Sequence, residues 1–241
     1  MIAALLCALP LLELFVAPAA DFRRVGFRDR LTPSLAGYQS GARALVRTGL
    51  TVYPLGPSGL PGVSDVGLFG SYTRSLRSQT LTADGALAFQ TQEIAWDAGA
   101  RFRLVLGGEE RLGLSVRYGS LRNDFSGPLL PGVVLPAGTL QYWRTGLSGR
   151  LPLGAFTLGA ELGYLLPVKQ DAIGRAFPRA SSAGADAAVH ASIDFHAFEV
   201  RLSGRYTRLF YSLHPLPYDP YIAGGALDEL VSIELALGLR L

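Results

Sequence analysis

His190, Ser192, Asp194 and His196 stand at alternate positions in the stretch His190-Ala-Ser-Ile-Asp-Phe-His196. A base, a nucleophile and an orienting acid on one strand face raise acyl transfer or hydrolysis as candidate chemistry. Alternate residues of a strand share a face but lie about 7 Å apart, too far for hydrogen bonds along the strand, so a working triad would need neighbouring strands. The bland reading is a polar network on one strand face. A second set, His214 and Asp219, lies in the segment Tyr211 to Glu229, where prolines and aromatics fit a stiffened loop folded over the end of the molecule. Three scattered histidines and the single cysteine, Cys7, offer no metal cluster and no disulfide framework, so no metal or cofactor is expected. Gly107-Gly108 and Gly224-Gly225 read as turn glycines, because neither lies between a strand and a helix where it could cradle phosphate.

The elements that must position these residues are strands. Ile94, Trp96, Ala98, Ala100, Phe102, Leu104 and Leu106 share one parity, opposed by Glu93, Asp97, Gly99, Arg101 and Arg103. After the turn 107–110, Leu112, Leu114, Val116 and Tyr118 oppose Arg111, Gly113, Ser115 and Arg117, which predicts a hairpin. Similar runs span 42–52, 66–72, 139–151, 156–166, 183–195, 198–210 and 231–241. Residues 1–20 read in two ways: Leu12 to Phe22 as a further strand, with Pro18 at a bulge or unbonded site, or Ala17-Pro-Ala19 as the cleavage site of an export signal. On the first reading the strand count is ten, and residues 1–10 are a remnant of an export signal or an N-terminal extension. The linkers alternate long and short, as in an antiparallel up-and-down sheet with brief turns at one end and large loops at the other. The expected fold is therefore all-β, a single domain over 1–241 forming a ten-stranded antiparallel up-and-down β-barrel.

Alternation alone does not say which face is inside. The polar parity is crowded with small residues, such as Gly99, Gly113, Gly159 and Gly163, which suit a narrow interior, and the apolar parity carries large side chains. The apolar face is expected outward in lipid, where an Arg or Lys at the bilayer midplane costs about 2–4 kcal/mol. No apolar run is long enough for a membrane-spanning helix. The lumen is expected to hold an ion-pair network that includes Glu93, Asp97, Arg101, Arg103, Arg117, Arg144, Arg150, Glu161, Asp186, Asp194, Arg201, Arg205, Glu234 and Arg240, and extends to Glu13, Asp65, Glu199, Arg43, Arg47 and Arg111. Lys169 is the single lysine among 22 basic residues, which fits a preference for forked guanidinium–carboxylate pairing. Tyr53, Tyr72, Tyr118, Tyr142, Trp143, Tyr164, Tyr206 and Phe210 are expected to form interfacial aromatic belts. A formal charge of +3 without a basic cluster argues against nucleic acid.

With these features the chain resembles the outer-membrane β-barrel proteins of Gram-negative envelopes. The closing VSIELALGLRL is similar to their assembly signal, here Ile233, Leu235, Leu237, Leu239 and Leu241, although the family favours a terminal aromatic. The resemblance implies location in the outer membrane, contact with outer-membrane lipids, and insertion by the β-barrel assembly machinery. It also implies extracellular loops that meet a partner the sequence does not name. The expected role is structural or interactive and non-enzymatic, or restricted passage of small solutes. The alternatives are a barrel enzyme, either lipid-modifying or omptin-like, and a soluble ligand-binding barrel. Omptins match in strand number and in a His with acidic residues at the rim, but their paired Asp-Asp and Asp-His pattern is absent.

Overall fold

The computed structural model describes residues 11–56, 62–83, 85, 87–106, 109–126 and 138–241. Its elements are β1 (Leu12–Arg28), β2 (Tyr38–Ser40), β3 (Arg43–Val52), β4 (Val66–Ser75), β5 (Ser78–Thr82), β6 (Ala88–Leu106), β7 (Glu109–Ser126), β8 (Gly138–Leu153), β9 (Phe156–Gln170), α1 (Asp171–Ala176), β10 (Ser181–Phe195), β11 (Phe198–Ser212) and β12 (Gly225–Arg240). The sheet is antiparallel and up-and-down. Strand β12 pairs with β1 from Glu13↔Arg240 to Arg28↔Gly225, and so joins the two ends of the sheet.

The described sheet has twelve strands, which corrects the expected ten. The two missed strands, β2 and β5, pair with each other and link β1 to β6 beyond the ends of β3 and β4. At three and five residues they are too short to display a period of two. Ten strands, β1, β3, β4 and β6 through β12, make the wall elsewhere. The first-strand reading of Leu12 to Phe22 holds, and the strand runs on to Arg28. Pro18 pairs with Val46 on β3, while the register toward β12 passes from Val16↔Leu237 to Ala19↔Glu234 with no partner between, where a missing N–H is tolerated. Residues 1–10, Cys7 and the glycines of turn 107–108 lie outside the described residues.

Strands β1, β6 and β7 run well past their expected ends, and there the pattern inverts, whereas β3 keeps its expected length and β9 stays apolar outside through Leu166 and Val168. Toward the short turns the outward positions are apolar: Leu68, Leu114, Val116, Leu147, Leu162 and Leu237 are all exposed. Toward the long loops the apolar residues move inside. Val25, Phe89, Leu140, Leu165 and Leu209 are buried, while Arg24, Gln90 and Arg122 are exposed at the alternate positions. An outward apolar surface is demanded only where lipid surrounds the wall. Above that height the barrel obeys the rule of a water-soluble one.

The loop end is closed by an apolar core. Leu35, Ile173 and Phe177 around α1, and Leu213 and Ala223 of the 213–224 segment, pack on the inward wall residues Leu140, Leu165, Leu209, Tyr211 and Ala226. Backbone bonds from Leu31 N to Ile222 O (3.0 Å) and from Gly224 N to Arg28 O (3.1 Å) tie these segments together. A second cluster joins Val25, Tyr38 and Phe89, with Phe125 edge-on to both rings at 5.1 and 5.0 Å. Each large apolar side chain buried this way contributes about 1.5–3 kcal/mol.

Candidate functional site

Below the plug the lumen is filled by guanidinium–carboxylate pairs in three tiers. In the tier nearest the plug, Arg23 donates to Asp228 at 2.9 and 2.6 Å, Arg43 donates to Asp21 twice at 2.7 Å, and Arg43 also reaches Glu93 at 2.9 Å. Arg43 and Asp21 are each 1% exposed, so neither charge can be compensated by water. In the middle tier Arg144 forks onto Asp186 at 2.9 and 2.7 Å and meets Glu161 at 2.7 Å. Arg205 bridges the same two carboxylates at 2.7 and 2.9 Å, and Arg117 donates to Glu161 at 2.8 Å. Arg47 spans from Asp97 (3.8 Å) to Glu234 (3.5 Å). In the tier nearest the turns, Glu199 accepts from Arg201 at 3.0 and 2.8 Å and from Arg240 at 2.7 Å, and Arg240 also holds Asp194 at 2.8 Å. Arg101 pairs with Glu110 and lies 3.6 Å from Glu13, while Arg103 reaches Asp65 at 3.4 Å. Arg150 lies 3.5 Å from both Glu110 and Glu199.

The residues of the expected network named above therefore meet opposite charges inside. Arg111 is the extra residue of a bulge, since Leu104 pairs with Leu112 but Val105 with Glu110. That phase shift turns Glu110 inward, although its place in a predicted turn hid it. Asp228 was hidden in the same way by a predicted loop, and Asp21 and Arg23 lay on the polar face of the first strand without being assigned to the network. Inward aromatics complete the filling: Arg103 stacks on Tyr53 at 3.7 Å, Arg117 on Phe69 at 5.4 Å and Arg47 on Phe15 at 5.8 Å. Missing Cβ atoms make room, because a methyl on Gly163 would collide with the Arg144–Asp186 pair and one on Gly159 with the His190 ring.

The expected belt needs correction at two positions. Tyr53 is buried beneath Arg103, and Tyr142 faces inward over Gly119. Tyr72, Trp143, Tyr164, Tyr206 and Phe210 are exposed outside, and Trp96 joins them. Trp96, Tyr118 and Trp143 pack in a row with centroids 5.9 and 5.2 Å apart. The row falls in mid-strand because the strands continue past the lipid.

The candidate catalytic sets do not assemble. His190 lines a lumen cavity of about 210 Å³ that also touches Arg150, Glu199 and Arg201, and its Nε2 has no partner. Ser192 Oγ is buried and likewise unpartnered, whereas Asp194 is engaged by Arg240. His196 leaves the lumen face altogether: it is exposed in the turn after β10 at φ 56°. In the loop, Asp219 accepts from Arg179 and from Leu216 N (2.6 Å), and Arg179 also donates to the carbonyl of His214 at 3.0 Å. That carboxylate serves as a loop staple. Among the described residues no group of His, Cys, Asp and Glu could hold a metal ion. Burial pushes the Tyr38 phenol of β2 well above its ordinary range, so it stays neutral in the second apolar cluster.

Ile233, Leu235, Leu237 and Leu241 are exposed on the outer face of β12, and Leu239 is half-buried there.

No family model matches the chain, and no curated protein does. Among solved structures, the chain is similar to the outer membrane protease OmpT of Escherichia coli, with TM-score 0.53 and 12% identity over 95% of this chain and 96% of that one. The translocator domain of the autotransporter NalP from Neisseria meningitidis aligns with TM-score 0.48 and 12% identity over 95% and 88% of the two chains. At such identities the likeness concerns the fold.

Proposed function

We propose that this chain, whose fold is that of the outer-membrane β-barrels, works in the outer membrane as a sealed, non-enzymatic barrel that presents its loop surface to the outside. The observation that carries this reading is the filling of the lumen. Three tiers of paired charges lie under an apolar plug, and barrels of this strand number leave little room beyond their own side chains. Passing an ion through Arg43, Asp21 and Glu93 would require breaking buried pairs, each costly to leave half-made. The outward apolar band speaks against a soluble ligand-binding barrel. The engaged Asp194 and Asp219 speak against hydrolysis at either candidate set. Purified folded protein in planar lipid bilayers should show no sustained conductance across a wide voltage range. Steady large openings would overturn the reading.

A further inference from the structure

The outward face changes its chemistry at one height on several strands. Two positions past exposed Tyr206 on β11 comes Arg208, past Phe22 on β1 comes Arg24, and past Tyr72 on β4 comes Arg74. On β7, Arg122 follows Tyr118 and Ser120 on the same face. Strand register gathers these into two arcs. Glu229 stands opposite both Arg208 and Arg24, and Ile94 stands opposite both Arg74 and Arg122. Arg74 and Arg122 lie immediately beyond the aromatic row of Trp96 and Tyr118, and on β11 Arg208 lies between exposed Tyr206 and exposed Phe210, its guanidinium 5.0 Å from the Phe210 ring.

The arcs are electrically unbalanced. Glu229 lies 3.8 Å from Arg208 and Asp124 binds Arg122 at 2.8 Å, but Arg24 and Arg74 have no ion-pair partner among the described residues. The lumen offers them no partner, since its carboxylates are engaged by its own arginines and the two signs nearly balance there. Eleven of the 22 basic and twelve of the 19 acidic residues belong to inward pairs, which leaves eleven bases against seven acids elsewhere. Almost all of this excess lies at the loop end. A positive ring just above lipid tails meets the layer of headgroups, and a guanidinium fork matches two oxygens of a phosphate.

We propose that the two arcs bind the phosphate groups of anionic lipids in the leaflet at the loop end. The site goes beyond the sealed-barrel reading, since it does not depend on whether the lumen conducts. The test is native mass spectrometry of the folded full-length chain in zwitterionic detergent, titrated separately with phosphatidylglycerol, phosphatidylcholine of the same chains, and glycerophosphate. Phosphatidylglycerol should stay bound where the other two do not. Each arginine near an anionic headgroup is worth about fivefold in affinity, so R24Q/R208Q and R74Q/R122Q should each weaken binding by roughly 20-fold. R24K/R208K should lose less, and Arg175→Gln, on α1 away from both arcs, should bind as the parent does. Folding is checked by heat-modifiable gel migration; if a Gln variant does not fold, the Lys variant and the lipid comparison on the parent still decide. Equal retention of phosphatidylcholine, displacement by glycerophosphate, or a double variant that binds like Arg175→Gln would each overturn the proposal.

Discussion

Arg43 is the residue whose loss the fold should feel most. It is the shared donor to Asp21 and Glu93, and removing one partner of a buried pair strands the other charges without water. Arg43→Ala should destabilise the folded barrel by about 3–5 kcal/mol, read from urea unfolding followed by gel migration. Gly163→Ala reaches the same interior by a different route. Its added methyl collides with the Arg144–Asp186 pair and should cost about 1–3 kcal/mol, whereas Gly149→Ala, with only ordinary contacts around its Cβ, should be nearly neutral. Near-parent stability of Gly163→Ala would mean that the middle tier is looser than its hydrogen bonds indicate. At this scale the sequence was informative where parity held. Glu161, Asp186 and Arg205 are legible as inward residues because they alternate with Leu162, Ala187 and Tyr206. Glu110 was not legible, since a bulge changes its face without leaving a mark in residue type.

Strands β1, β6 and β7 each carry two environments. Their turn-side halves face lipid with apolar groups, and their loop-side halves turn Arg and Gln outward, whereas β9 keeps Leu166 and Val168 exposed to its loop end. The consequence is position-dependent tolerance. Val116→Arg, in the apolar band of β7, should cost about 2–4 kcal/mol of folding free energy in lipid, while Gln92→Arg, outward on β6 beyond the aromatic row, should shift stability by less than about 0.5 kcal/mol. Comparable costs at the two sites would remove the proposed boundary. The same division explains why strand ends were read short. A window that scans for one phase of alternation sees Leu121 and Phe125 arrive on what had been the polar parity of β7, and reads the change as a loop. The short strands β2 and β5 were missed because they owe their form to pairing with β1 and β6 rather than to any pattern of their own.

For the whole molecule, the plug and the charge tiers are separate seals stacked along one axis. Phe177→Ala should loosen the plug, at about 3–5 kcal/mol, yet leave planar bilayers silent because the pairs beneath it still fill the lumen. Conductance from that variant alone would show that the plug is the sole barrier. Salt should act in opposite ways on the two charge systems. The buried tiers are poorly screened, so added salt should leave stability unchanged while it weakens phosphatidylglycerol binding at the outward arginines.

The sequence by itself determined that the chain alternates, that its apolar parity is the lipid face, and that its interior must pair arginines with carboxylates. These follow from local chemistry: a two-residue period assigns faces, small residues mark the confined face, and confined charge needs a partner. Which carboxylate each arginine takes was decided only in three dimensions. Asp186 meets Arg144 from two strands away, and Asp21 meets Arg43 across a register set by neighbouring strands. The closing of the mouth was also a tertiary matter. Leu35, Phe177 and Leu213 lie far apart along the chain in segments without periodicity, and nothing local says that they will share one core. Pairing across strands and packing between loops depend on where the closed sheet brings its members, and that placement is a property of the whole ring.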